Sequence, residues 1–414
     1  MLIKLKKLGP GLLFAGAAIG VSHLVQSTRA GADFGLGLLW ALLLVNIFKF
    51  PFFQFGPRYA TATGETLLEG YHKLGKGVLV AYFSLSVATM FTIQTAVTIV
   101  TAGLAHSIFG DISFLNLGFS EISSVELWTV ILLIICLLIL FIGKYKTLDK
   151  LIKVIILILT VSTLLAVSFA FTEFQQPISI LQVLPENATE IAFLIAFMGW
   201  MPAPLDISVW HSIWTIEKKK TDKSFTSKAA LLDFNIGYLG AIVLGIAFLC
   251  LGYLVMYQSG TVFSNKAAIF SNQLIELYTT SLGKWAYVII GVAAFTTMFS
   301  TTLTTLDASP RAMTICVNLL TQKSHRHGYL LWILILTMGT LIIFFAFASE
   351  MGLLVKVATI LSFLTAPFYA IINYRLIASK HTPLAWRPSL KLHILSILGI
   401  AFLVGFGIWY LTTL

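Results

Sequence analysis

Charge is what this sequence has least of. Only 11% of its 414 residues are Asp, Glu, Lys or Arg, while 58% are hydrophobic and the mean hydropathy is +0.93. A water-soluble chain of this length needs far more charge to cover its surface, so a soluble globular domain is excluded. Cysteine is nearly missing too. Cys136, Cys250 and Cys316 stand far apart in or beside apolar segments. With no paired spacing, a disulfide framework and a cysteine metal site are excluded, and the three thiols read as packing residues. No GxxxxGK[ST] loop is present, so the chain carries no ATP site of that kind. The histidines are scattered, with no HExxH and no nucleophile–base pair, which argues against an enzyme.

What the sequence has is long apolar runs. Segments of the roughly 20 residues needed to cross a ~30 Å hydrocarbon core recur throughout. Eleven spans are expected, at about 9–33, 36–60, 77–107, 127–143, 149–172, 189–216, 232–256, 283–308, 329–348, 352–378 and 392–413. The opening "MLIKLKKLGPGLLFAG" has the basic start of a signal peptide but no cleavage site, and is read as leading into the first helix. With the N-terminus inside, the inner segments hold 22 of the 27 Lys and Arg residues, among them Lys4, Lys6, Lys7, Lys144, Lys218, Lys219, Lys220 and Lys323. The opposite loops hold Asp111, Glu121, Glu126, Glu173, Glu186, Glu190, Glu276 and Glu350, with Lys266 and Lys284 beside them. Basic residues are retained on the cytoplasmic side during insertion, so the N-terminus is expected inside and the C-terminus outside. The net charge of +10 therefore belongs to a membrane surface and not to nucleic acid. Segment 257–282 is the least apolar connection and reads as a short external amphipathic helix.

Two spans are interrupted near their midpoints. The first carries Gly16, Gly20, Ser22 and His23 at its centre. The sixth, "AFMGWMPAPLDISVWHS", carries Pro202, Pro204 and Asp206. Proline removes a backbone donor and clashes with the preceding turn. Free carbonyls at membrane depth are tolerated only where they line a cavity or are buried in protein. Spans one and six also open two successive blocks of five, 9–172 and 189–378, and an odd block length makes the second run in the opposite direction. Interrupted helices at matching positions of inverted repeats point to a transporter's midplane site. Segment 392–413 is left as an additional C-terminal helix on a single transmembrane unit of residues 1–414.

The stretches "LGPGLLFAG", "GLGLLWALLLVNIF", "YATATGETLLEGY", "FSTTLTTLDASPRAM" and "LTAPFYAIIN", with the His211–Ser212 pair, resemble the Nramp divalent-metal transporters across almost the whole chain. The resemblance implies an all-α, LeuT-like fold of two inverted five-helix repeats plus one helix. It implies divalent-metal transport with no resident cofactor, and a bacterial cytoplasmic membrane as the location. The departures fall on the family's metal motifs. Its Asp-Pro-Gly-Asn in span one is Gly20-Val21-Ser22-His23 here. Its Met-Pro-His in span six is replaced around Ala203-Pro204-Leu205, followed by Asp206. A polar amide of span ten falls at Thr365, and the acids of span three are absent from "ATMFTIQTAVTIV".

The expected cargo site therefore comprises Gly20, Ser22, His23, Ala203, Asp206 and Thr365, with His23 and Asp206 as metal ligands. An acid within a membrane span costs about 3 kcal/mol on translocon scales, which marks Asp206 first; its alternative role is to cap the second half-helix. Imidazole suits zinc, iron or manganese and also carries a proton. His211, about 140° around an ideal helix from Asp206, Thr301 and Asp307 are candidates for proton or coupling-ion binding. Lys49, inside span two, either balances Asp206 or snorkels to an interface. Arg29 and Asp33, four apart, suggest a local pair. The leading expectation is secondary transport of a divalent cation, Mn/Fe-like or Mg. The alternatives are a LeuT-fold carrier of a small organic solute coupled to H+ or Na+, and a non-transporting membrane sensor. Partners are the bilayer and the cargo; the sequence fixes no oligomeric state.

Overall fold

Glycine and proline punctuate an almost wholly apolar chain, and between them it winds into helices. The structure, a computed structural model, describes residues 9–112, 123–142, 145–175, 177–257, 263–347 and 350–412. Lys4, Lys6, Lys7, Lys144 and Glu121 of the charge pattern lie outside them. The first span is α1 (Pro10–Ala18), a π-wound stretch (Ser22–Ser27) and α2 (Thr28–Phe34). Next come α3 (Leu39–Thr63), the short α4 (Leu67–Leu74), α5 (Lys76–Phe109), α6 (Ser124–Ile142) and α7 (Tyr145–Glu173). The sixth span is α8 (Ala188–Trp200) and α9 (Ile207–Thr221). It is followed by α10 (Ser227–Met256), α11 (Ala267–Leu282), α12 (Ala286–Thr321), α13 (Gly328–Phe347), α14 (Met351–Ala378) and α15 (Leu390–Thr412). No strand occurs among the described residues.

A helix or helix pair stands at each of the eleven expected positions. Eight of them are long and apolar enough to cross a membrane, and nine with the bent pair of span one, among the described residues. The sixth position is divided between the shorter α8 and α9, and α12 at the eighth runs for 36 residues. Of the apolar windows of α3 and α5, 61% is buried, against 22% for α6 and for the described part of α7. The first two are interior helices and the latter two face lipid. The expected amphipathic connection at 257–282 is α11.

Local sequence explains the joints. Gly64 ends α3 at φ +80°, a left-handed conformation open to glycine, with its amide on the Ala60 carbonyl. Thr66 and Glu69 then form a reciprocal capping box that starts α4, so the "TGETLLEG" run encodes a stop, a turn and a restart. Span one packs along α10 and span six along α3. Small residues let the first contact run backbone to backbone. A β-carbon on Gly11 would sit 2.1 Å from the Asp233 carbonyl, and one on Gly252 would sit 2.1 Å from the Thr28 carbonyl. Helix α5 packs on α12 and α14, and α12 packs on α7. The broken spans are thus held between α3, α10, α12 and α14.

Candidate functional site

The first span loses its winding after Ala18 and resumes at Ser22 with a 47° bend. Gly20 sits against α12, where an added β-carbon would lie 2.9 Å from Thr301 Oγ1. That Thr301 oxygen is 3.1 Å from the Gly16 carbonyl and 3.4 Å from the Ile19 carbonyl. The coupling-ion candidate from span eight therefore meets the break of span one. In span six, α8 ends at Trp200 and α9 starts at Ile207, and the prolines between them supply no amide hydrogen. The two breaks meet: Ser22 Oγ lies 3.2 Å from the Pro202 carbonyl, 180 residues away in sequence.

The buried His23 has both ring nitrogens engaged. Nε2 lies 2.9 Å from the Ala241 carbonyl on α10, which has no hydrogen to give, so Nε2 donates. In the neutral ring Nδ1 then accepts from the Ser22 hydroxyl at 2.6 Å. The same Ser22 oxygen is 2.8 Å from the Ala18 carbonyl. A metal at Nδ1 would have to displace Ser22, so the expected open imidazole is a closed one here.

Asp206 immediately precedes α9 yet makes no capping hydrogen bond. Its Oδ1 is buried with no hydrogen-bond partner among the described residues. It lies within electrostatic reach of the Tyr71, Tyr82 and Tyr369 phenols. No hydrogen bond or ion pair joins Asp206 to His23, and no cluster of three His, Cys, Asp or Glu side chains occurs among the described residues. The other two carboxylates buried in the helices are committed. Asp233 accepts from the Gly9 and Gly11 amides at 3.1 and 2.7 Å. Asp307, within α12, pairs with Arg311 and accepts from the Tyr329 hydroxyl, each at 2.7 Å.

Lys49 does neither of the things expected of it. It is fully buried, and its ammonium reaches the carbonyls of Met198, Gly199, Met201 and Ala203. The Ala203 carbonyl, expected to be open to cargo, thus already faces a cation at 3.4 Å. Packing of α3 against span six decides this, because it brings the Lys49 side chain onto the carbonyls freed by the break. Thr365 donates within its own helix to the Ser362 carbonyl at 3.2 Å. Neighbouring Ser362 accepts from the Trp200 indole at 2.7 Å. His211 is buried with neither ring nitrogen partnered among the described residues. It stacks on Phe14 at 5.6 Å and lies 5.7 Å from the Phe234 ring.

A cavity of about 20 Å³, room for one water- or ion-sized occupant, lies against both breaks. It is lined by Ala18, Val21, Ser22, Trp200, Pro204, Ile207, Trp210, Thr301 and Thr305 with their neighbours. Neither Asp206 nor His23 lines it. Toward the end expected outside, a larger cavity of about 430 Å³ is lined by Gln26, Arg29, Asp33, Glu190, Asn265, Glu350 and Lys356 among others. Arg29 there lies 5.8 Å from the Phe193 ring centre. Sequence reasoning missed two interior groups. Gln94 of α5 accepts from Thr305 at 2.7 Å and donates to the Thr302 carbonyl at 3.2 Å. Asn373 of α14 accepts from Tyr71 and donates to Ser208 and to the Phe52 carbonyl. A lone amide within an apolar run was the signal available for each.

Similar proteins share this architecture. The manganese transporter of Eremococcus coleocola superposes with a TM-score of 0.72 at 14% identity, covering 97% of this chain and 85% of that one. MhsT, solved with L-phenylalanine, gives 0.66 at 14% identity over 98% of each chain. A nucleobase-cation-symport-1 family transporter with a bound hydantoin gives 0.62 at 14% identity, covering 98% and 93%. At that identity the likeness establishes the LeuT-type fold alone. An uncharacterised protein of Pasteurella multocida (strain Pm70) is 34% identical over 420 residues, 99% of this chain and 92% of its own. The family model for natural resistance-associated macrophage protein-like proteins matches residues 11–413. A multi-pass membrane protein with this helix order and that match along nearly its whole length belongs to the Nramp family.

Proposed function

We propose that the chain is a secondary-active transporter of a divalent metal cation, working by alternating access, with the cargo held at mid-depth beside the breaks of spans one and six. The observation that carries this reading is Asp206 Oδ1, buried at the sixth-span break with no hydrogen-bond partner among the described residues. A divalent ion in a low-dielectric interior needs a countercharge, and the acids at 233 and 307 are already engaged. Family membership supports the metal, and the ion-sized cavity beside Ser22, Thr301 and Pro204 supports a mid-depth stop. Ser22 lines that cavity, and Asp206 and the Gly20 oxygen, outside its lining, are proposed to join Ser22 as ligands when the breaks shift. His23 joins them only if Ser22 turns away. Thr301 is the proposed coupling site, and His211 a proton carrier between Phe14 and Phe234. The packing of span one on α10 and of span six on α3 supports exchange of partners between inverted blocks 9–172 and 189–378. The N-terminus inside and a bacterial cytoplasmic membrane complete the proposal.

A second reading, a small organic solute as cargo, has its own observation. The cavity at the breaks, which would have to widen for such a cargo, is lined by two tryptophans, aliphatic groups and hydroxyls without a charged side chain, and Lys49 already fills the carbonyls of the sixth-span break. Thermal melting of the purified protein separates the two. Manganese or magnesium is expected to raise the midpoint in a saturable way in wild type but not in Asp206→Asn. Stabilisation by organic solutes alone would move the assignment to the second reading.

A further inference from the structure

Helix α8 ends in a set of carbonyls that would ordinarily accept from the next turn. The break at 201–206 and its two prolines remove those donors. The C-terminal end of a helix also carries a partial negative charge that favours a cation. Lys49, on α3, meets this need: Nζ lies 2.7 Å from the Met198 and Gly199 carbonyls, 3.2 Å from Met201 and 3.4 Å from Ala203. All four neighbours are acceptors. A neutral amine would point a lone pair at one of them, whereas an ammonium has three hydrogens and no lone pair. No acidic side chain forms an ion pair with Lys49 among the described residues, so the carbonyl oxygens carry the compensation.

We propose that Lys49 is a tethered resident cation, filling a four-carbonyl site that binds a free monovalent cation, an alkali ion or a small alkylammonium, only when the lysine side chain is removed. The carbonyl shell resembles in kind the one an unhydrated monovalent ion takes, and here one arm of the protein supplies the ion. The sixth-span break is thereby held without any ion from solution. Its carbonyls are also withdrawn from cargo binding, which goes beyond the transport reading above and does not depend on it.

The test measures melting of the purified protein in choline, sodium, potassium and ethylammonium chloride at equal ionic strength, without cargo. Wild type is expected to melt alike in all four. Lys49→Ala is expected to melt lower in choline, with at least half of the loss restored, saturably, by ethylammonium or an alkali ion. Lys49→Met, similar in length and uncharged, is expected to be destabilised with less rescue, because its side chain still fills the space. A wild type that needs sodium or potassium would overturn the proposal. So would either variant melting as high as wild type in choline, or both remaining unfolded in every salt. Because no cargo is present, failure here leaves the transport reading standing, and failure of metal stabilisation leaves this one standing.

Discussion

Asp206, Lys49 and His23 are three polar groups in apolar helices, and the sequence treats them unequally. An acid beside two prolines announces a site because a carboxylate at a helix break is costly to bury, and the structure leaves its Oδ1 without a hydrogen-bond partner among the described residues. Lys49 announces only that it is unusual. Its four-carbon stem reaches across to the backbone of a neighbouring helix, so its partner depends on which break packs against α3. His23 is legible as a buried polar group, but the Ala241 carbonyl that fixes its tautomer lies 218 residues away. His211 yields a prediction at this scale. It packs against Phe14 and Phe234 with both nitrogens unpartnered among the described residues. A phenyl ring fits the same slot, and removing two unsatisfied polar atoms recovers desolvation of about 1–3 kcal/mol. His211→Phe is therefore expected to melt at or above wild type while proton-linked uptake falls. A clear loss of thermal stability would show that the imidazole has a structural partner.

Helix order and the two interruptions were legible because proline, glycine and hydropathy act locally. Contacts between elements were less so. The seating of span one depends on Asp233, near the start of α10, which sequence reasoning also passed over. Its carboxylate receives the Gly9 and Gly11 amides at the start of α1, where an anion also complements the helix dipole. Charge-assisted hydrogen bonds of this kind contribute about 1.5–3 kcal/mol each. Asp233→Ala is expected to lower the unfolding free energy by roughly 2–4 kcal/mol, read as a reduced melting midpoint in detergent, with Asp233→Asn intermediate. An Ala variant as stable as wild type would mean that α1 is held by its glycine contacts alone.

For the molecule as a whole, fold and cargo separate. The architecture follows from apolar runs, short joints and small-residue contacts, so it survives the loss of the family's usual metal motifs. Cargo depends on a few groups around the breaks, and fold by itself does not choose among them. The most direct measurement is uptake of manganese and of magnesium into proteoliposomes by wild type and by Asp206→Asn, an isosteric change that removes only the charge. Saturable uptake by wild type that falls at least about tenfold in the variant, equivalent to 1.4 kcal/mol or more of transition-state stabilisation, is the predicted result. Full metal uptake without the Asp206 charge, or no metal uptake by a wild type that carries an organic solute, would contradict it.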